Sequence, residues 1–289
     1  MNPKVAKRIH ELRTDRLHGA GWLSRQAITT LVLAVNESQA HTVTEFADEM
    51  SAVAAELTKA RPTMISVANY VQQFLHQIML GAQDEKNLDS LKSSTEIKGN
   101  ELIRFSEQAA SKAAEYACGI VSDLDVLMTC SYSSTVCKAL EMAKHKGTRF
   151  QVMVAESRAK GRAYGEMTAK QLEQHQIPVK VIPDEYIHLR ISNAGKALVG
   201  ADSILADGSL INGTPTFRLA QAAKEENIPF YTVCETAKFD TGHIAKASKP
   251  ESGFDKTPPE LITGIITEKG TIEPSLVTAY VEETTGSHK

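Results

Sequence analysis

The sequence predicts a chain in two parts, an all-helical domain over residues 1–117 and an α/β domain with a largely parallel sheet over residues 118–289. Three observations predict it. Apolar residues recur at helical spacing through the first part. Near residue 118 that period gives way to short apolar runs of strand length, alternating with amphipathic stretches. Five of these runs lead directly into acidic, basic or nucleophilic side chains. In an open parallel sheet, residues in that position converge on one crevice outside the carboxyl ends of the strands.

Taken in order, helices are expected over Pro3–Leu12, Gly19–Asn36, Thr42–Ala60, Met64–Leu80 and Asp84–Cys118. Arg61–Pro62–Thr63 separates the third from the fourth, with Thr63 placed to cap the next helix. The strands expected next are Leu124–Met128, leading to Cys130, and Phe150–Ala155, leading to Glu156 and Arg158. Val179–Pro183 leads to Asp184, Leu198–Gly200 to Asp202, and Phe230–Val233 to Glu235 and Lys238. Helices over Ser134–Lys146, Thr168–Gln176, Ile187–Ala197 and Thr216–Asn227 lie between them. Strict alternation implies right-handed crossovers, with helices covering both faces of the sheet. A last strand, Leu261–Thr267, ends at a Glu268–Lys269–Gly270 turn, and its apolar face suggests a dimer surface. The polar stretch Thr241–Pro259 reads as a loop.

Composition excludes more than it proposes. With 289 residues, a net charge of −3 and a pI near 6.3, the chain has no basic footprint for direct nucleic-acid binding and no membrane-surface character. Met1–Arg16 lacks the apolar centre of a secretory signal, and no apolar run reaches membrane-span length, so a cytoplasmic protein is expected. The four cysteines have no metal-ligand spacing and read as reduced thiols. No Gly-x-Gly-x-x-Gly follows the first strand and no Walker loop occurs, so no cofactor and no metal are expected.

The segments Leu17–His18–Gly19–Ala20–Gly21–Trp22, Arg61–Pro62–Thr63, Val199–Gly200–Ala201–Asp202, Ile211–Asn212 and Glu235–Thr236–Ala237–Lys238–Phe239 resemble the recurring motifs of one superfamily. It contains the regulatory subunits of translation initiation factor 2B, the archaeal ribose-1,5-bisphosphate isomerases and the methylthioribose-1-phosphate isomerases. The likeness continues through Thr257–Pro258–Pro259–Glu260–Leu261–Ile262 and Gly264–Ile265–Ile266–Thr267–Glu268. It implies a Rossmann-like second domain, a homo-oligomer (a dimer or dimer-based hexamer), and a phosphorylated sugar or nucleotide as ligand. By resemblance Gly19, Ala20, Arg61, Ser133, Arg158, Lys160, Asn212 and Lys238 are substrate-binding residues, and Asp202 with Cys130 or Ser131 occupies the catalytic positions.

The chain also departs from the isomerase pattern. Aligned on Ser133 to Val136, Ser131 stands at the cysteine position of the isomerases and Cys130 one residue before it. His18 stands where a basic residue usually precedes Gly19–Ala20, Gly213 replaces a lysine and Pro215 a glycine. For each candidate a bland role stands beside the functional one. Ser133 either caps its own helix or presents a helix start to a phosphate. Cys130 is either a buried thiol or an acid–base group, and Asp202 either closes a turn or moves a proton between C1 and C2 of a sugar. Two functions stay open: an aldose–ketose isomerase acting on a phosphorylated pentose, and a non-catalytic protein of the initiation-factor-like branch that senses a sugar phosphate or nucleotide.

Overall fold

The computed structural model describes residues 1–84, 87–241 and 250–286. Two compact units form, Met1–Gln108 and Ala109–Lys289.

The first unit is built from α1 (Pro3–Thr14), α2 (Ala20–Asn36), α3 (Val43–Ala60), α4 (Ile65–Asp84) and most of α5 (Leu88–Cys118). Residues 85 and 86, within the expected helix Asp84–Cys118, lie outside the described residues. Each helix buries the stripe its spacing predicts, as with Val5, Ile9 and Leu12 of α1, which repeat at i, i+4 and i+7. Phe46, Met50 and Leu57 of α3 are fully buried, as are Leu23, Ile28 and Leu31 of α2. Polar residues fix the starts. Asn2 accepts the Lys4 amide ahead of Pro3, and Thr42 accepts the Glu45 amide. Thr63 stands two residues before Ile65, where α4 starts.

The second unit opens on β1 (Asp125–Thr129), α6 (Ser134–His145), β2 (Phe150–Ala155), the hairpin β3 (Arg158–Ala159) and β4 (Arg162–Ala163), α7 (Tyr164–Gln174) and β5 (Val179–Ile182). It continues with α8 (Ile187–Arg190), β6 (Lys196–Gly200), β7 (Ser203–Ile204), β8 (Leu210–Gly213), α9 (Thr216–Glu225) and β9 (Phe230–Val233). β10 (Phe254–Thr257), β11 (Gly264–Thr267), β12 (Gly270–Ile272) and α10 (Val277–Gly286) complete it. Seven strands form the main sheet in the order β12-β11-β9-β6-β1-β2-β5, parallel except for β12. Both faces are covered. Leu127, Leu198 and Val233 pack with Ala113 and Ala117 of α5, Leu140 of α6 and Leu172 of α7. Their neighbours Met128, Ala197 and Val199 pack instead with Ile187 of α8, Leu219 of α9 and Val277 of α10.

Four expectations are corrected. The helix expected over Ile187–Ala197 is only α8 between two 3-10 turns, because Gly195 already donates its amide to Val126 O, at 2.8 Å, and β6 begins at the next residue. The strand expected over Leu261–Thr267 loses its first residues to a 3-10 turn at Pro259–Leu261. What remains, β11, is buried between β9 and β12, so this apolar run is core and not a dimer surface. The loop expected over Thr241–Pro259 contains β10, which joins β8 and β7 in a small antiparallel sheet, while residues 242–249 lie outside the described residues. Among the described residues no helix is long and apolar enough to cross a membrane.

Candidate functional site

The chain leaves β1 toward β2 and β5 on one side, then returns to lay β6 on the other side of β1. The carboxyl ends of β1 and β6 therefore flank the point where strand order reverses, where ligands of open parallel sheets bind.

From the end of β1, Cys130 turns into the core. It is 1% exposed among Met128, Val199 and Leu219, with its sulfur 3.3 Å from Thr216 Oγ1. The Thr216 hydroxyl donates its one proton to Gly213 O at 2.6 Å and accepts from Asn212 Nδ2 at 2.9 Å. The contact with Cys130 must then be an S–H donating to the hydroxyl. Burial pushes the Cys130 thiol up to about 12. A group in this state supplies no thiolate near neutral pH. Asn212, also buried, is committed to the same cluster.

Ser131, the next residue, is half-buried and has a left-handed φ of 61°. Its amide donates to Ser157 Oγ at 2.7 Å, and its carbonyl accepts from Thr168 Oγ1 at 2.7 Å. Its hydroxyl lies over Gly213, where an added Cβ would come within 2.3 Å of Ser131 Oγ. The glycine at the end of β8 is thus what lets the β1 loop sit here.

Ser133 is the N-cap of α6 and accepts the Val136 amide at 3.3 Å. The amides of Ser134 and Thr135, in the first turn, have no intrahelical acceptor and point out of the helix start. Gly200, the last residue of β6, approaches this cap so closely that a Cβ there would lie 2.4 Å from Ser133 Oγ. Asp202 follows two residues later, half-buried, with its amide donated to Ile211 O at 2.9 Å. Lys238 is buried beside it, donating to Ala201 O at 2.8 Å and pairing with buried Glu235 at 3.4 Å. Burial alone would lower this ammonium. The charge of Glu235, with a smaller contribution from Asp202, outweighs it and holds Lys238 above its ordinary value. Lys238 is therefore a fixed internal cation behind Asp202.

Arg158 and Lys160 stand on the hairpin after β2. Lys160 and Gly161 form its tip, both with positive φ as this tight turn requires. Arg158 is exposed and grips the Glu156 carboxylate through Nε and Nη2, while Lys160 lies near Glu251 and over the Phe254 ring. Gly19, Ala20 and Arg61 belong to the helical unit. Gly19 is the N-cap of α2, Ala20 its first residue, and Arg61 donates to the carbonyls of Leu12, in the last turn of α1, and of Asp15, its C-cap. His18 pairs with Asp15 and stacks on Trp22. Among the described residues no cluster of three His, Cys, Asp or Glu side chains could hold a metal ion.

The model of one family, described as the Initiation factor 2 subunit family, matches residues 16–253. The chain belongs to this family. Within the initiation factor 2 subunit family it is 29% identical over 316 residues to the ribose 1,5-bisphosphate isomerase of Haloterrigena turkmenica, an alignment covering 98% of this chain and 94% of that one. The crystal structure of the translation initiation factor eIF-2B of Pyrococcus horikoshii OT3 superposes with a TM-score of 0.80 at 30% identity, over 95% of this chain and 98% of the other. The tetrameric eIF2B-beta2-delta2 complex from C. thermophilum gives a TM-score of 0.81 at 22% identity, over 96% and 94%, a likeness of fold. A helical part followed by an α/β part with a mostly parallel sheet is the fold of the initiation factor 2 subunit family.

Sequence reasoning left several partners of this site without a role. Ser157, Thr168 and Thr216 hold the loop after β1 in place, and Asp184 accepts the amides of Ser157 and Arg158 at 2.7 and 3.1 Å. The position of Asp184 at a strand end was a usable signal. The three hydroxyls gave none, since a Ser or Thr near a turn is commonplace.

Proposed function

We propose that this chain binds a phosphorylated pentose or a nucleotide at the carboxyl ends of β1 and β6. The observation that carries this reading is the meeting, at the strand-order reversal, of the α6 helix start with Asp202 and its buried partner Lys238. A helix start favours a phosphate, and a carboxylate beside it can take sugar hydroxyls. The isomerase named among the relatives supports a sugar phosphate as the ligand class. Four unpaired, buried cysteines support a reducing, cytoplasmic location. Ribose 1,5-bisphosphate or AMP at millimolar concentration is expected to raise the melting temperature, by about 2.7 kcal/mol of stability at a hundred times Kd. No shift with any phosphorylated sugar or nucleotide overturns the proposal.

A second reading, aldose–ketose isomerisation, is favoured by the half-buried Asp202, a group suited to moving the C2 proton. Against it stands the second proton carrier: Cys130 is sealed in the core, and Ser131 is a hydroxyl. Exchange of the C2 proton with solvent deuterium decides between them. Exchange that is lost in Asp202→Asn establishes the enzyme. Saturable binding without exchange leaves a sensor.

Kinship with a tetrameric complex supports assembly of this chain with its own kind, and we propose a symmetric dimer. Light scattering that finds only monomer at micromolar concentration contradicts it.

A further inference from the structure

Arg158 opens β3, three residues after the end of β2, the strand that neighbours β1, and the residue before it, Ser157, accepts the amide of Ser131 of the crevice loop on its Oγ at 2.7 Å. Its backbone is immobilised. Asp184 takes the amides of residues 157 and 158 on its two oxygens, and Ser157 is held at a φ of 56°. The side chain is 65% exposed, yet its guanidinium is already engaged, with Nε donating to Glu156 Oε2 at 2.8 Å and Nη2 to Glu156 Oε1 at 2.5 Å. That Nε–Nη2 edge is one of those from which a guanidinium grips an oxyanion bidentately. Glu166 and Asp184 add further negative charge around it.

We infer that Glu156 determines phosphate specificity at this site by acting as a built-in competitor for Arg158. The inference rests on the phosphosugar reading proposed above. Glu156 is covalently attached two residues away, so its carboxylate returns to the guanidinium at high effective concentration. A free monophosphate meets that competition from bulk solution. The second phosphate of a ligand already held elsewhere in the crevice meets it on equal terms and brings a larger charge. Arg158 therefore responds to bisphosphates and discounts monophosphates.

The test is calorimetric titration of the full chain with ribose 1,5-bisphosphate and ribose 5-phosphate, in the wild type, Glu156→Gln, Arg158→Gln, Arg158→Lys and the double variant Glu156→Gln/Arg158→Gln. Melting curves verify that each variant is folded. Glu156→Gln should tighten ribose 5-phosphate binding about two- to fivefold, the scale of one exposed ion pair, and should narrow the ratio between the two ligands. Arg158→Gln and Arg158→Lys should weaken the bisphosphate more than the monophosphate, since lysine keeps the charge but loses the fork. The double variant should show no gain over Arg158→Gln. Wild-type binding with unchanged or weaker monophosphate affinity in Glu156→Gln overturns the inference and spares the proposed function. A gain that survives without Arg158 also overturns it, because general charge then suffices. If no protein, wild type included, binds either sugar, this inference falls, and a parallel titration with AMP that also shows no binding takes the proposed function with it.

Discussion

The Ser131 hydroxyl over Gly213 is a contact with no slack. A methyl at residue 213 would have to displace Ser131, whose own backbone is held by Ser157 and Thr168. Gly213→Ala is therefore expected to cost about 1–3 kcal/mol, the range for overpacking in a closed site. Ser131→Ala in the same chain should recover part of that loss, because it removes the oxygen that clashes. Urea denaturation of the two single variants and the double variant measures the coupling, and strict additivity would disprove it. For Cys130 the expectation is inertness. Folding raises its thiol from an ordinary 9.0 to about 12, so the protonated form is stabilised; that contribution is complete below pH 9 and is lost as pH rises from there toward 12. Iodoacetamide at pH 8 should leave Cys130 unmodified in the native protein and alkylate it in urea, as peptide mass spectrometry can follow. Whether this thiol faced the crevice was not legible in the sequence. A central parallel strand is apolar on both faces, so its pattern has no polar side to set the phase. At Ser131 the left-handed backbone then breaks the alternation that would have fixed the next residue.

Long helices and buried strands announce themselves because their periods persist over many residues, and this is why α1 to α5 and the six parallel strands fall near their expected ranges. The small sheet gave no such signal. β7 has two residues, β8 and β10 four each, and about forty residues of chain separate β8 from its partner β10. One tie between elements has a measurable acid signature. Asp123, just before β1, accepts from the Arg149 side chain and amide just before β2, and these bonds hold its carboxyl down to about 2. A depressed carboxylate stabilises the fold fully above its unfolded value of 3.8, and the contribution disappears as pH falls from there toward 2. Asp123→Asn should therefore flatten the loss of stability between pH 4 and pH 2, read as the urea midpoint at each pH. An unchanged acid limb would show that the pair contributes nothing.

For the whole chain, the candidate site divides by what a linear sequence can carry. The strand-end rule located Asp202, Lys238 and Arg158, because their distance from the sheet is fixed by chain connectivity. Their electrostatic state was not legible. Lys238 proved to be neutralised from within by Glu235, and Arg158 by Glu156, pairings that depend on side-chain direction and burial.

The strand order carries a consequence for biosynthesis. β1 is the first strand of its sheet to leave the ribosome and one of the innermost in the finished fold, with β2 and β5 added on one flank and β6, β9 and β11 on the other. Until β6 has been made, a nascent chain that has already paired β1 with β2 presents one bare edge of Asp125–Thr129, whose residues Leu127 to Thr129 are buried in the complete protein. Such an edge recruits strands from other chains. A fragment ending at Pro183 should aggregate during expression, and one extended through Gly200 should do so less, as the soluble fraction of each would report.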